Sequence, residues 1–111
     1  MPSSPNFSRG DVVLVDLGML QKVRPCVVVS VSKADTQRNM SVVVPMTTEI
    51  RNSEMEVAFP KPRWLQQTCV VHLLGIAGVD NAKIERRLGR FDPTSFLTIE
   101  KGLAKLLGLR I

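Results

Sequence analysis

The sequence predicts a mainly β domain, a small and strongly bent barrel of short strands, that ends in one amphipathic helix. Apolar, β-branched runs fill the first two thirds of the chain and are separated by irregular loops without a repeat, and the hydrophobic period lengthens after Asp92. A chain of 111 residues has room for one domain with its own core. We assign that domain to residues 9–111 and interpret residues 1–8, rich in Ser and Pro, as a flexible N-terminal arm.

Five apolar segments are predicted to be strands. The first, DVVLVDL, is apolar on both faces, as expected for a strand that packs on two sides. The fourth, EMEVAF, alternates strictly, which points its apolar residues inward and its two glutamates, Glu54 and Glu56, outward. The segments span residues 11–17, 24–32, 40–47, 54–59 and 68–79.

Proline and glycine modify two of these segments. Pro45 removes a backbone donor near the end of the third, which indicates an edge or a bulge. Gly75 and Gly78 interrupt the fifth, which indicates bulges or a close backbone approach. Beyond it, Asp80-Asn81 predicts one helical turn, and RRLGRF predicts a short last strand.

The end of the chain is predicted to be helical. Asp92 and Pro93 suit the N-cap and the first helical position. Apolar residues then recur at helical spacing, while Lys101 and Lys105 face outward, so the helix closes the barrel or serves a dimer. The apolar positions are Phe96, Ile99, Leu103, Leu106 and Leu107.

Composition narrows the classes of partner. The apolar fraction of 44% and the charged fraction of 23% are ordinary for a globular protein. Fifteen Lys and Arg oppose ten Asp and Glu, and the net charge of +5 favours a polyanionic partner, either nucleic acid or an acidic protein. The apolar runs are far shorter than the roughly 20 residues of a membrane span, so we expect no membrane partner.

The two cysteines, Cys26 and Cys69, both lie in apolar runs. Free cysteine behaves as a small hydrophobic residue, so we interpret both as inert core thiols. Buried thiols without a signal peptide indicate a reducing compartment and a cytoplasmic protein. The chain has no CxxC pair and only one histidine, so no metal site is expected.

Three places offer groups for phosphate chemistry, and each has an ordinary interpretation as well. Arg24 precedes Pro25 at the entry to an apolar strand, where it is a fixed cation or a solvated loop arginine. Thr47 and Thr48 end the third strand, where hydroxyls hold a phosphate oxygen or satisfy a turn. His72 is the one histidine, and strand alternation points it away from its apolar neighbours. It is either a proton-transfer group or a structural strand residue.

A basic cluster precedes the helix, and it is either a solvated face or one wall of an RNA groove. The sequence has no convincing carboxylate pair, catalytic triad or Gly-rich phosphate loop, and with no Tyr and 5% aromatic residues it gives little support for a base-stacking platform. The cluster consists of Lys83, Arg86, Arg87 and Arg90.

Three stretches together resemble the MazF/PemK toxins. RGDVVLVDLG followed by KVRPCVVVS is similar to the family's N-terminal signature, in which an Arg-Pro-led strand follows a GD-led strand. VVVPMTTEI resembles the family's strand that ends in Thr-Thr, and VDNAKIERRLGRF resembles the stretch before the last helix. The resemblance covers nearly the whole chain from Arg9 onward.

The resemblance implies an SH3-like barrel of the MazF/PemK (CcdB-like) type with a C-terminal helix. It also implies a homodimeric toxin of a type II toxin–antitoxin system, neutralised by an acidic, disordered antitoxin. The implied activity is sequence-selective cleavage of single-stranded mRNA through attack of the 2′-hydroxyl, which leaves a cyclic phosphate and a 5′-hydroxyl. No metal or other cofactor is implied for this reaction.

The resemblance extends to individual positions. Arg24 matches the family's Arg-Pro arginine and Thr47 its strand-end threonine, so both are expected to be catalytic. His72 stands where some members place a catalytic arginine, and it is the third expected catalytic residue. The expected RNA contacts are Arg9, Lys22, Thr48, Lys83, Arg86 and Arg87.

The sequence departs from the family pattern after the fifth strand. Where many relatives carry an acidic residue, a Gln and a later Arg, this chain has Leu74, Gly75 and Ala77. Either His72 has taken over a proton-transfer role, or the site is degenerate. A degenerate site would make the chain a barrel of the same fold that binds a protein, as gyrase poisons do, or binds nucleic acid without cleavage. The retained Arg24 and Thr47 favour cleavage.

Overall fold

The computed structural model describes residues 7–18, 23–31 and 39–110. Seven strands and one helix account for most of these residues, with a 3₁₀ turn after β5 and another after β6. The elements are β1 (Asp11–Asp16), β2 (Val23–Val28), β3 (Met40–Thr47), β4 (Glu56–Ala58), β5 (Val70–His72), β6 (Ala77–Asp80), β7 (Ile84–Arg90) and α1 (Pro93–Leu107). The predicted class, mainly β with a C-terminal helix, is confirmed.

The strands form one antiparallel sheet in the order β4-β5-β3-β2-β1-β7, and β6 pairs with β3 beside this path. In the described residues β4 and β7 end the path without pairing with each other, so the sheet is open, whereas the sequence predicted a small and strongly bent barrel. The last strand of the path, β4, has only three residues and pairs with β5 alone.

The predicted fifth strand, residues 68–79, is in fact two strands, β5 and β6. The 3₁₀ turn at Leu73–Gly75 separates them, and both pair with the same edge of β3. The ladder with β6 ends at Val43, and the ladder with β5 begins at Met46. Pro45 falls in the gap between the two ladders, where its missing N–H leaves no hydrogen bond of this edge unmade.

The close approach expected at Gly75 is confirmed. A Cβ on Gly75 would lie 2.5 Å from Cγ of Pro45 and 3.0 Å from Cδ2 of His72. The turn between β5 and β6 therefore fits over the Pro45 ring only because residue 75 has no side chain. At Gly78, by contrast, a Cβ would meet only Met40 Cε, at an ordinary 3.6 Å, so no close approach explains this glycine.

Each face of the sheet carries its own core, as the two apolar faces of β1 indicated. The helix-side core packs between the sheet and α1 and includes Val12, Val27, Val44, Met46, Val57, Val71, Leu73, Phe91, Ile99 and Leu103. The opposite core contains Val13, Val15, Cys26, Val28, Val43 and Ile84, with Phe7, Leu17 and Val79 packed against it. Alternate residues of β1 thus enter different cores.

The helix begins and ends as its sequence predicts. The Asp92 carboxylate accepts a hydrogen bond from the backbone N–H of Ser95 at 3.1 Å. Hydrogen bonding to the side chain of Ser95, and then to its backbone, lowers the pKa of Asp92. Gly108 ends the helix in the left-handed conformation, with φ of 70°. Leu107, which the spacing assigned to the apolar face, is 53% exposed, whereas its neighbour Leu106 packs against the helix-side core.

Trp64 lies flat on β7. A Cβ on Gly89 would stand 2.4 Å from Cδ2 and Cε2 of the indole and 2.5 Å from Cδ1, so the ring covers the glycine Cα. The indole also meets the Phe91 ring edge-on, with centroids 6.2 Å apart. Residue 89 must therefore be a glycine if the indole is to keep this position.

We expect Gly89→Ala to lower the free energy of unfolding by about 1–3 kcal/mol, because the new methyl group overlaps the indole and must displace it. Gly78→Ala is the matched control, since its methyl meets only an ordinary contact, and it should change stability by less than about 0.5 kcal/mol. Urea unfolding followed by tryptophan emission measures both effects. Equal stability of the two variants would contradict the packing of Trp64 on Gly89.

Candidate active site

The three residues expected to be catalytic meet in one cleft. Arg24, Thr47 and His72 all line a depression of about 340 Å³ at one end of the sheet, here called the central cleft. Its remaining walls are Leu17, Pro45, Met46 and Gly75. Three side chains from three strands therefore surround one space.

The strand register explains how Arg24 and Thr47 meet. β2 and β3 pair antiparallel with Cys26 opposite Pro45. Arg24 and Thr47 each lie two residues from that pair, one toward the start of β2 and the other at the end of β3, so they share its face. The backbone thus brings a guanidinium and a hydroxyl side by side.

The Thr47 hydroxyl also stabilises a turn, which is the alternative role that the sequence suggested for it. Its Oγ1 accepts a hydrogen bond from the backbone N–H of Glu49 at 3.0 Å and so stabilises the turn after β3. The hydroxyl proton is not used in this bond, and it can be donated to another acceptor. Thr48 is exposed, and it lines a different cleft, described below.

His72 reaches the central cleft from β5. Thr47 pairs with Val70, and His72 lies two residues further along the same face of β5. Its side chain is half-buried, and within the described parts of the chain it forms no hydrogen bond or ion pair. The imidazole is therefore available to a ligand.

A carboxylate that sequence reasoning did not connect with His72 lies directly across the sheet. Glu56 of β4 pairs with His72, and the backbone N–H of Leu73 donates to Met55 O at 2.9 Å beside this pair. The bond makes Glu56 and His72 a non-hydrogen-bonded pair, in which the side chains of an antiparallel ladder come closest. Their Cβ atoms are expected about 4.5–5.5 Å apart.

The Glu56 carboxylate is held in place by backbone donors. Its oxygens accept hydrogen bonds from the N–H of Arg51 at 3.1 and 3.2 Å and from the N–H of Ser53 at 3.2 Å. Glu56 and His72 also line a second depression of about 430 Å³ next to the central cleft, with Thr47, Glu49, Arg51, Ser53 and Leu74. The outward position predicted for Glu56 was the one signal that could have suggested this role.

A larger cleft adjoins Arg24 on its other side. This Trp64 cleft has a volume of about 650 Å³ and shares Arg24 and Met46 with the central cleft. It is lined by Leu14, Val23, Arg24, Pro25, Met46, Thr48, Trp64, Leu65, Gln66, Gln67, Cys69, Arg86 and Leu88. Two guanidinium groups thus border one cavity, which suits a phosphate-bearing ligand.

The residues of the basic cluster before the helix differ in whether they have a carboxylate partner. Arg86 lines the Trp64 cleft and has no carboxylate partner among the residues described. Arg87 and Arg90 instead approach the buried Asp11 carboxylate, at 3.7 and 2.7 Å. Lys83 is exposed at the end of the second 3₁₀ turn.

Two further residues, Arg9 and Lys22, were expected to contact RNA. Arg9 lies before β1, whereas Arg24 lies at the far end of the β1–β2 pair. The Arg9 guanidinium donates to Val29 O, pairs with Glu100 and stands 5.2 Å from the Phe96 ring centroid. Lys22 lies outside the described residues. That Arg9 contacts RNA stays a prediction. The contacts that the Arg9 side chain makes in this structure are with Val29, Glu100 and Phe96.

Both cysteines are buried free thiols, as expected. Burial raises the pKa of Cys26 to about 12, although the nearby Arg24 opposes the shift, and burial also raises the pKa of Cys69. A raised pKa keeps each sulfur protonated at neutral pH and therefore unreactive. Cys69 lines the Trp64 cleft as an apolar wall and not as a nucleophile.

The described residues contain neither a group of side chains suited to a metal ion nor a helix that could span a membrane. Across residues 7–18, 23–31 and 39–110, no three His, Cys, Asp or Glu side chains are grouped so that they could hold a metal ion. No helix within those ranges has the length and apolar character needed to cross a bilayer.

The fold and the clefts define a small basic β protein with an arginine, a threonine and a histidine grouped at one end of its sheet. Residues 8–107 match the family model for the PemK-like, MazF-like toxins of type II toxin–antitoxin systems. The match covers almost all of the chain, which therefore belongs to this toxin family.

Solved structures agree with this assignment. An endoribonuclease in complex with its cognate antitoxin, from a Mycobacterial species, is 28% identical and superimposes with a TM-score of 0.81 over 95% of this chain and 98% of that one. Another Mycobacterial endoribonuclease is 27% identical, with a TM-score of 0.78 over 98% and 96% of the two chains. A MazE-MazF structure from Deinococcus radiodurans has a TM-score of 0.81 at 19% identity, over 96% and 99%, which supports the fold alone.

Proposed function

We propose that this toxin is a metal-independent endoribonuclease that cleaves single-stranded mRNA at selected sequences. The observation that carries the proposal is the meeting of Arg24, Thr47 and His72 in one cleft. The family assignment and the two Mycobacterial endoribonucleases at 27–28% identity support it.

The chemistry requires proton removal, stabilisation of the phosphorane and protonation of the leaving oxygen, and the cleft offers residues for the first two. The 2′-oxygen loses a proton and bonds to phosphorus, the P–O5′ bond breaks, and the departing 5′-oxygen takes up a proton. Arg24 binds the non-bridging oxygens and stabilises the charge of the phosphorane, while the Thr47 hydroxyl donates a hydrogen bond to the same group. His72 accepts the proton of the 2′-hydroxyl, the departing 5′-oxygen takes its proton from water, and the imidazolium then returns a proton to the hydroxide that is left. The products are a cyclic phosphate and a 5′-hydroxyl.

Glu56 has a supporting part in this scheme as a positioning residue. Glu56 lies opposite His72 in the ladder, and its carboxylate is fixed by two backbone donors, so a carboxylate of fixed position stands near the ring and can orient it. The other charged groups around the ring are Arg24 from β2 and Glu49 and Arg51 from the loop after β3.

Arg24→Ala should lower the cleavage rate at least about 100-fold, because it removes a donor to the transition state. Thr47→Val should be milder, since it removes one hydroxyl and keeps the shape. The assay is cleavage of a long RNA with EDTA present, with the product ends mapped and circular dichroism as the test of folding. Arg110→Ala, which removes an equal charge from a residue outside all the clefts, is the control; cutting by Arg24→Ala at the parental rate would refute the assignment.

The pH dependence of cleavage tests His72. An imidazole that transfers a proton should give the rate profile a limb between about pH 5.5 and 7.5. His72→Ala should remove the limb, and His72→Gln should be nearly as slow, because an amide forms hydrogen bonds but transfers no proton at these pH values. A flat parental profile would exclude His72 from the chemistry.

Glu56→Gln should slow cleavage in the parental protein but not in the His72→Ala background, because the carboxylate acts only through the ring that it orients. Glu54→Gln is the matched control, because Glu54 is exposed and lines neither depression at His72. Equal rates for the two variants, or the same loss of rate on Glu56→Gln with and without His72, would show that Glu56 does not act through His72.

The rival proposal, a degenerate site that binds without cutting, makes the opposite prediction. Leu74, Gly75 and Ala77 replace the polar residues of many relatives, and Gly75 is so close to Pro45 that no glutamine fits there without rearrangement. A protein that binds RNA or a protein partner and leaves the RNA intact in the same cleavage assay would establish this alternative.

The proposed setting is the cytoplasm, with an acidic antitoxin whose disordered tail lies along the basic groove, and a homodimeric toxin. Half-exposed apolar side chains border the clefts, namely Val23 at 41% and Leu74 at 59%, with Ile50 at 42% in the loop after β3. An isologous contact between two copies would cover such residues.

We therefore expect light scattering to give the mass of a dimer at micromolar concentration. Leu74→Asp should shift the equilibrium toward the monomer, because it places a charge in the proposed contact. Leu109→Asp, at an equally exposed leucine beyond the helix, is the control. A parental protein that stays monomeric throughout this range would contradict the proposed dimer.

A further inference from the structure

We propose that the Trp64 cleft binds an unpaired nucleobase of the RNA, adjacent to the phosphate held in the central cleft. The proposal rests on the proposed ribonuclease function and names the part of the substrate that this cavity receives. It assigns a role to Trp64, Gln66 and Gln67, which neither the sequence patterns nor the catalytic scheme uses.

The position of the cleft is the first argument. Arg24 and Met46 line both cavities, so the Trp64 cleft and the central cleft adjoin at these two residues. A phosphate bound by Arg24 therefore has a cavity of about 650 Å³ immediately beside it. The nucleotide that follows such a phosphate must place its base nearby, and this volume accommodates a base with its sugar.

The walls suit a flat, largely apolar ring. The apolar lining includes Leu14, Met46, Leu65 and Leu88 together with Trp64. The indole is held flat by Gly89 beneath it and by the edge contact with Phe91, so it is fixed before any ligand arrives. A fixed aromatic surface is a stacking site for single-stranded bases. One such residue is enough for a single base, although aromatic residues are few in this chain.

The rim offers groups that can read the edge of a base. Gln66 and Gln67 are exposed, and their side-chain amides have no hydrogen-bond partner within the described ranges. Each amide can donate and accept at once, as base edges require, and glutamine is a common partner of adenine. Arg86, which has no carboxylate partner in the same part of the chain, stands ready for a neighbouring phosphate.

The same features favour RNA over an acidic protein segment as the occupant. Carboxylates would be drawn to Arg24 and Arg86 alone, and they would leave the indole face and the two amides without a matching partner. A nucleotide uses all of these groups, because its phosphate meets the guanidiniums while its base meets the indole and the amides.

Trp64 is the only tryptophan in the chain, so its fluorescence reports directly on this cleft. We would titrate the intact protein with single-stranded oligonucleotides that carry 2′-O-methyl groups, which cannot be cut through 2′-hydroxyl attack. Stacking of a base should quench the emission. An abasic oligonucleotide of the same length keeps the phosphates and should bind at least about tenfold more weakly, with little quenching.

Three results would overturn the proposal. Equal quenching by the abasic strand would show that phosphates alone act on Trp64. Unchanged emission at concentrations where a labelled strand is bound, as judged by its anisotropy, would place the base elsewhere. Equal quenching by an acidic peptide without aromatic residues would assign the cleft to a protein partner.

Substitutions at the rim test the reading of the base. Among homopolymers of A, C and U, Gln66→Ala or Gln67→Ala should weaken binding of one homopolymer about tenfold and leave the abasic strand unaffected. Thr98→Ala, on the exposed side of α1, is the control. An unchanged order of affinities in both glutamine variants would show that the amides do not read the base.

Failure of this inference is distinguishable from failure of the proposed function. Binding and quenching are measured with strands that no 2′-hydroxyl mechanism can cut, so they do not depend on catalysis. Base-dependent quenching by a protein that never cleaves RNA would keep the base site and refute the nuclease. Cleavage without any response of Trp64 would do the reverse.

Discussion

The contact between Pro45 and Gly75 is the constraint on which the candidate site depends. β3 pairs along one edge first with β6 and then with β5, and Pro45 lies in the gap where it needs no hydrogen bond on that edge. Gly75 allows the turn between these strands to fold closely over the proline ring. β5 therefore runs back beside the end of β3, and its last residue, His72, arrives next to Thr47. Pro45, which has no N–H, and Gly75, which has no side chain, thus together position the side chain of His72.

The sequence predicted most of the elements but not the pairing of the strands, because the signals in a sequence are local and pairing is not. Apolar runs, the Asp92 cap and the helical spacing are local signals, and they identified most of the strands and α1. The division of residues 68–79 into two strands is not local, because it depends on β3 offering its edge to both. The pairing of Glu56 with His72 depends on register in the same way. Trp64 was missed because a lone aromatic in a loop has no pattern, and only Gly89 beneath it gives it a fixed place.

Net charge is likewise a weak guide until the partners of each charge are known. The formal charge of +5 favoured a polyanionic partner, yet Arg87 and Arg90 approach the buried Asp11, and Arg9 pairs with Glu100. These three arginines connect the start of β1 to β7 and to the helix, so their charges already have carboxylate partners within the fold. Arg86 lies on the same strand as Arg87 but has no such partner among the described residues, and it borders the cleft beside Arg24. Adjacent arginines of one strand thus serve different purposes because alternation points them to opposite faces.

The replacement of polar family residues by Leu74, Gly75 and Ala77 argues for a lost site only if the chemistry must come from that turn. Here the turn is occupied by the approach to Pro45, and a side chain at residue 75 would push the strands apart. A carboxylate can reach the same cavity from β4, because Glu56 stands opposite His72 and is fixed by the backbone of Arg51 and Ser53. An acid and an imidazole on paired strands are held by the ladder itself, whereas residues of a turn depend on its conformation. The departure from the family pattern is therefore compatible with a working site in which His72 on the sheet transfers the proton and Glu56, on the paired strand, positions it.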